Sequence, residues 1–457
     1  RELLERILLD RLHLVPRYRE RAVFPPWNAS TPMWMPDPDF DIKNHVEEVE
    51  LEPPVDDRAL ARAAARAYSG MLDRRHPLWK LIILHGLPDD HTAVVWKVHH
   101  AMVDGVSGID LTMALHDFRP DAEPPAPPAE KWQPPPIPDQ LTLLQQAVEQ
   151  TLTQTTRSMT ESFFDFMRPD GMAARATGLS RMLRATAPTM MRPMAATPWN
   201  RPVSGELDYA WVELSWSEVR AVKGALGGTV NDLVLATLAG GLGRYLRAKK
   251  FSTSKVELRA MCPVSMRPTD QRGQLGNQVS ALTAPLFVGI EDPLERFRAE
   301  RGAMEALKEA RAAESLHGFT RFADLVPPAM QAFAASFSVP QPLYNTVSTN
   351  VPGPQIPLYL GGRRLLAFLP LGIVSNNLGL FVSILSYERR MTFGMLVDAK
   401  QIPDVERLAE CLRESYSELR EAAGVAPEEA DELLDLGERW SRRAQPATET
   451  KQRSAVA

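Results

Sequence analysis

Cysteine is nearly absent. Cys262 and Cys411 are the only two in 457 residues, and neither belongs to a CxxC pair. That excludes a disulfide framework and the common zinc-ligand spacings, and a reducing cytoplasmic compartment fits best. Long apolar runs are missing as well. No stretch approaches the roughly 18 uninterrupted apolar residues of a membrane span, and no secretory leader pattern opens the chain. There is no basic excess: the net charge is −5, which provides no cationic field for nucleic acid. With no Gly-x-Ser-x-Gly elbow and no Cys/His nucleophile pattern, a covalent enzyme intermediate is not required. The chain begins at Arg1 in a helical pattern and without Met, so the expectation is that its true N-terminus is missing.

Proline is plentiful but uneven. It crowds Arg119–Asp139, including Pro134-Pro135-Pro136, where neither helix nor central strand can form, and that stretch reads as a stiff linker. A chain this long divides most simply into two domains. The spacing predicts a first lobe over 1–118, a Pro-rich and Met-rich helical linker over 119–203, a second lobe over 204–443, and a disordered polar tail over 444–457. Within the first lobe we expect helix 2–14, strand 40–51, helix 57–75, strands 78–84 and 92–100, and a helix from Val106 to Phe118. After the linker helix 140–166 and Met-rich 171–194, the second lobe reads as strand 208–215, helix 229–248, strand 255–264 and a helix-rich stretch 292–336. Strands near 343–350, 379–387 and 391–397 and helices 404–422 and 427–443 complete it.

The chemistry concentrates at His99-His100-Ala101-Met102-Val103-Asp104-Gly105, after the apolar run 92–98. A neutral imidazole takes and returns a hydroxyl proton near working pH. Strand alternation puts Val94, Trp96, Val98 and His100 on one side, so His100 is expected to end an apolar row and stay neutral through burial. Asp104 is expected to hold the loop, with Arg267 as its candidate partner, and Gly105 to turn the chain into the following helix. A strand-end histidine pair that merely satisfies carbonyls is the alternative. As a metal site the pair lacks further ligands at familiar spacing, and none is expected.

Further motifs carry a resemblance: Phe40-Asp41 with His45; Leu72-Asp73 before Pro77-Leu78-Trp79; Thr229-Val-Asn231-Asp232; Pro263-Val-Ser265-x-Arg267; Gly276-Asn277; Asn350-Val-Pro-Gly353-Pro354; and Ser386-Tyr387 before Phe393-Gly394. Together with His99-His100-x3-Asp104-Gly105 the chain resembles the bacterial wax ester synthase/diacylglycerol acyltransferase family, over roughly 10–425. That family lies within the superfamily of chloramphenicol acetyltransferase and peptide-synthetase condensation domains.

The resemblance implies an α/β protein of two chloramphenicol-acetyltransferase-like lobes, mixed sheets with flanking helices, and a site between them. It implies transfer of a fatty acyl group from acyl-CoA, a co-substrate beside which no cofactor is needed, to diacylglycerol; a long-chain fatty alcohol is the alternative acceptor. A carrier-protein condensation domain and a non-catalytic lipid-binding protein are further alternatives. By carry-over His100 is the general base, and Asn231 shapes the acceptor site or polarises the carbonyl. Taken alone, Thr229-Val-Asn-Asp232 is an ordinary helix N-cap. Gly227-Gly228 and Gly240-Gly241 suit a wide acceptor mouth and equally suit close helix packing. Acidic Glu206 and Asp208 depart from the basic character expected of a CoA contact in that stretch. Lipid substrates imply peripheral contact with a membrane or lipid droplet, with Phe163, Phe164 and Phe166 in the suggested surface. Oligomeric state stays open.

Overall fold

The computed structural model describes residues 1–102, 105–126, 132–167, 194–265, 279–312 and 343–427. In the first lobe, helix α1 (Glu2–Arg11) leads to an antiparallel pair, β1 (Glu20–Val23) and β2 (Met33–Pro36). A three-stranded sheet follows: β3 (Val46–Glu50), β4 (Trp79–His85) and β5 (Ala93–Val98), with β3 parallel and β5 antiparallel to the central β4. β3 is shorter than the predicted 40–51 because Ile42–Asn44 forms a 3-10 turn, capped where Asp41 Oδ1 accepts from Lys43 N at 3.0 Å. Helix α2 (Asp57–Tyr68) is capped by Asp56, whose Oδ1 accepts from Ala59 N at 2.7 Å. It ends at Tyr68, short of the predicted Arg75, because Ser69 is extended and Gly70 takes φ +77°.

Alternation along β4 and β5 sorts the two faces of this sheet. Trp79, Leu81 and Ile83, with Trp96 and Val98, pack against Leu8, Leu12, Tyr18 and Leu115. Ile82, Leu84 and Val95 face the other way, onto Leu60 of α2 and onto Trp211, Leu366 and Leu371 of the second lobe. Helix α3 (Gly105–Leu115) follows the histidine motif. Beyond it, 122–126 and 132–139 carry neither helix nor strand, and helix α4 (Gln140–Met167) comes next.

The second lobe runs β6 (Leu207–Ser215), α5 (Trp216–Leu226), α6 (Val230–Ala248), β7 (Leu258–Ser265), β8 (Val279–Leu286), α7 (Pro293–Ala312) and β9 (Thr346–Pro352). A small hairpin, β10 (Tyr359–Leu360) and β11 (Arg363–Arg364), precedes β12 (Leu380–Tyr387), β13 (Arg390–Asp398) and α8 (Val405–Ala422). Its mixed sheet has the order β6-β13-β12-β9-β7-β8, parallel at β12/β9 and β9/β7 and antiparallel elsewhere. This is the α/β architecture of mixed sheets with flanking helices that the resemblance implies. Helix α6 is buried from Asp232 through Gly243. A Cβ on Gly240 would lie 2.2 Å from Ser415 Oγ, and one on Gly241 would lie 2.8 Å from Leu412 Cγ. Close packing of α6 on α8 therefore explains this glycine pair, and the wide-mouth reading is dropped. Gly227 and Gly228 both take positive φ in the α5–α6 turn.

The expected Met-rich helix 171–194 lies outside the described residues apart from Met194. The helix 427–443, past Pro427, and the tail lie outside them too, as does the part of 292–336 beyond Ala312.

Candidate active site

Strand β5 stops at Val98, and the chain turns immediately. His99 N donates to Leu78 O at 2.9 Å, and Met102 N closes the turn onto His99 O at 2.9 Å. Ala101 N donates to His99 Nδ1 at 3.1 Å. An N–H donor there requires a lone pair on Nδ1, so a neutral His99 carries its proton on Nε2. Desolvation by the surrounding turn, then the charges of Arg74 and His100, hold the His99 pKa below its ordinary value. His99 and His100 are both exposed. The expectation that His100 ends a buried apolar row is thus corrected: alternation holds through Val98 and ends with the strand.

Pro77-Leu78-Trp79 sits directly beneath this turn. Trp79 pairs with Val98 across the sheet, and Leu78 O carries the His99 amide. All three residues are buried. Beyond the turn, Gly105 opens α3, whose Ile109 packs with Leu358, Leu385 and Tyr387 of the second lobe. Two motifs of that lobe meet there. Ser386 is in register with Pro352, and Gly353 N donates to Ser386 Oγ at 3.2 Å. Tyr387 OH donates to Leu365 O at 2.9 Å and accepts from Leu358 N at 3.0 Å. A main-chain bridge between Asp117 and Tyr359, 2.8 Å in both directions, ties the end of this segment to the second lobe as well.

Asn231 and Asp232 open α6 in a different environment. Thr229 and Asp232 form a reciprocal capping box: Thr229 N donates to Asp232 Oδ2 at 2.8 Å, and Asp232 N donates to Thr229 Oγ1 at 3.3 Å. Asp232 is buried in that cap, whereas Asn231 is half-buried. Asp104, Arg267 and Gly276-Asn277 lie outside the described residues, and with them the expected Asp104–Arg267 pair. Cys262 is buried, and its thiol is pushed up to about 12, which removes it as a nucleophile near neutral pH.

A cleft of about 340 Å³ lined by Leu14, Met113, His116, Asp117 and Phe118 opens at the C-terminal end of α3, away from the histidine turn. Sequence reasoning overlooked Arg74, which lies 5.5 Å over the Phe24 ring and bears on His99. Its only sequence signal was its place between Leu72-Asp73 and the Pro-Leu-Trp motif.

Residues 1–234 match the wax ester synthase/diacylglycerol acyltransferase catalytic domain, and residues 275–420 match the WS/DGAT C-terminal domain. A Mycobacterium tuberculosis H37Rv protein named "Putative diacyglycerol O-acyltransferase" is 30% identical over 91% of this chain and 88% of its own length. Another from the same organism, "Probable diacyglycerol O-acyltransferase tgs1", is 27% identical over 90% of this chain and 86% of its own. In fold, the chain is similar to the wax ester synthase/diacylglycerol acyltransferase of Marinobacter aquaeolei VT8, with a TM-score of 0.61 at 23% identity over 89% of this chain and 86% of that one. It is also similar in fold to the first condensation domain of the calcium-dependent antibiotic synthetase, with a TM-score of 0.56 at 14% identity over 93% and 90%. The chain belongs to the wax ester synthase/diacylglycerol acyltransferase family and is an acyltransferase.

Proposed function

We propose that this protein transfers a fatty acyl group from acyl-CoA to diacylglycerol, forming triacylglycerol, with His100 as general base. The observation that carries the reading is the placement of two adjacent histidines in a solvent-accessible turn at the end of β5, directly above the buried Pro77-Leu78-Trp79. The names of the relatives favour diacylglycerol as acceptor. His100 removes the hydroxyl proton as the alcohol oxygen attacks the thioester carbon; the tetrahedral oxyanion collapses, the C–S bond breaks, and the proton passes to the CoA thiolate. Asn231 polarises the reacting carbonyl or shapes the acceptor site, and Asp104 holds the loop. Transfer is direct, in a ternary complex.

The test is kcat/KM for 1,2-dioleoylglycerol and hexadecanol with one labelled acyl-CoA. Apolar pockets separate similar chains by only about 10–200-fold per methylene, so turnover of both is expected, with diacylglycerol ahead. A preference for hexadecanol of about tenfold or more makes the protein a wax ester synthase instead.

We also infer reversible contact with a membrane or lipid-droplet surface in the cytoplasm, since acceptor and product are lipids. No single helix among the described residues is long and apolar enough to cross a membrane. Leu141, Val148 and Leu152 form one exposed stripe on α4, and Thr151 Oγ1 ties that helix to Ala29 O at 3.0 Å, next to exposed Trp27. The side chains of Phe163, Phe164 and Phe166, farther along α4, lie outside the described ones. Flotation with liposomes tests this reading, and recovery only in the soluble fraction counts against it.

A further inference from the structure

Phe40-Asp41 with His45 is a motif to which the acyl-transfer reading gives no role. His45 immediately precedes β3 and is 1% exposed. Its ring lies between Trp79, with centroids 4.3 Å apart at 17°, and Phe40, at 5.3 Å and 20°. Tyr18 closes the column on Trp79 at 4.7 Å and 15°, and its carbonyl accepts from Trp79 Nε1 at 2.9 Å. His45 Nδ1 is 2.8 Å from Trp79 O. A carbonyl only accepts, so Nδ1 carries the proton. Desolvation pushes the His45 pKa down to about 4, which keeps the ring neutral near pH 7. The main chain adds a second tie, Leu81 N to His45 O at 2.8 Å.

Trp79 also adjoins the carbonyl to which the histidine turn is bonded. The carbonyl on one side of its Cα, Trp79 O, is held by His45; the carbonyl on the other side, Leu78 O, holds the His99 amide. An aromatic ring alone would fill the gap between Phe40 and Trp79, but it would leave Trp79 O without this donor. Histidine supplies both the stack and the hydrogen bond.

We propose that His45 is a positioning residue for acyl transfer: by gripping the ring and carbonyl of Trp79 it fixes Leu78 O, and with it the His99–His100 turn. Sealed from solvent, it acts through Trp79 and takes no part in proton transfer. The inference rests on the acyl-transfer reading for its kinetic consequence. Displacing a reacting group by about 1 Å costs as much as a hundredfold in rate.

Two variants separate positioning from mere support. His45→Phe keeps the stack and loses the hydrogen bond. His45→Asn places an amide N–H near the position of Nδ1 but leaves a cavity. Both are assayed well below their melting midpoints. His45→Phe is expected to lower kcat by about tenfold or more with KM for either substrate little changed, whereas His45→Asn retains most of kcat despite its cavity. Equal kcat in the two variants, or the reverse order, overturns the proposal. A second readout needs no turnover: diethyl pyrocarbonate modification of His99 and His100, followed by peptide mass spectrometry. Its rate is expected to change in His45→Phe and to return toward wild type in His45→Asn. Unchanged rates in both variants overturn the positioning role, whereas a wild-type protein without acyl transfer defeats only the functional reading.

Discussion

Arg58 on α2 and Asp208 on β6 form a two-pronged ion pair between the lobes, with Nη2–Oδ2 at 2.5 Å and Nη1–Oδ1 at 2.9 Å. Arg58 also donates to Tyr209 O at 3.2 Å and pairs with Glu406. Nearby, Glu206 pairs with Lys400 at 2.6 Å. The acids that look out of place for a CoA contact thus meet cations of the protein's own. Beside the ion pair, Ala61 and Ala65 of α2 pack on Tyr209 and Leu396, so charge and apolar contact join the lobes together.

Breaking this pair from the acidic side, in Asp208→Asn, is expected to lower stability by about 1–3 kcal/mol, because the bonds are charge-assisted but only partly shielded from water. A double-mutant cycle with Arg58→Ala, followed by urea unfolding, measures the coupling. Strictly additive losses would show that the pair contributes nothing beyond its separate side chains.

At the histidine turn, His100→Ala is expected to reduce acyl transfer by about 10²–10⁴-fold, the usual loss on removing a general base. His99→Ala should retain measurable turnover, because the amide of residue 99 still holds Leu78 O. Steady-state rates, with circular dichroism to verify folding, make the comparison. Equal losses from the two substitutions would move the base assignment away from His100 alone.

Gly353 shows why the Asn-Val-Pro-Gly-Pro motif needs its glycine. A Cβ there would lie 2.2 Å from Ser386 O, a main-chain atom that cannot swing aside. Gly353→Ala is therefore expected to cost about 1–3 kcal/mol, like other overpacked sites. The displaced strand end carries Tyr387, against which Ile109 of α3 packs, so activity should fall as well. A melting midpoint within a degree of wild type would contradict this account.

Much of the sheet was readable because β12 and β13 are apolar on both faces, and the alternation of β4 and β5 matches their two cores. Ends and edges were harder. The sequence reading places no strand over β8, which carries Pro285; β8 is the edge of its sheet, where a missing N–H is tolerated. Helix α5 was missed although Ser215 and Glu218 advertise its cap. At the site, the histidine motif and Pro77-Leu78-Trp79 were visible as residues, but the hydrogen bond from His99 N to Leu78 O is tertiary and has no local signature. The Thr229–Asp232 box was anticipated as a cap and is one.

A buried acid in the second lobe gives the protein a pH dependence of defined sign. Glu300 on α7 is fully buried; its Oε1 accepts from Phe287 N at 2.8 Å, and its Oε2 has no hydrogen-bond partner among the described residues. Arg296 is near, but its N–H groups go to Ala236 O, Ile290 O and Glu291 O, each at 3.0 Å. Desolvation dominates, opposed by the Phe287 bond and Arg296 and reinforced by Glu257 and Asp232, and the carboxyl is pushed up from 4.5 to about 8. Between those values the folded protein keeps a proton that the unfolded chain releases. Stability contributed by this group is therefore full below about pH 4.5 and declines through the window to about pH 8, by at most about 1.4 kcal/mol per pH unit. Glu300→Gln removes the titration while keeping an acceptor for Phe287 N, so the variant should gain on wild type as pH rises from 6 toward 8. Urea midpoints of both proteins across that range measure the difference, and parallel pH profiles would show that Glu300 is already ionised in the folded state.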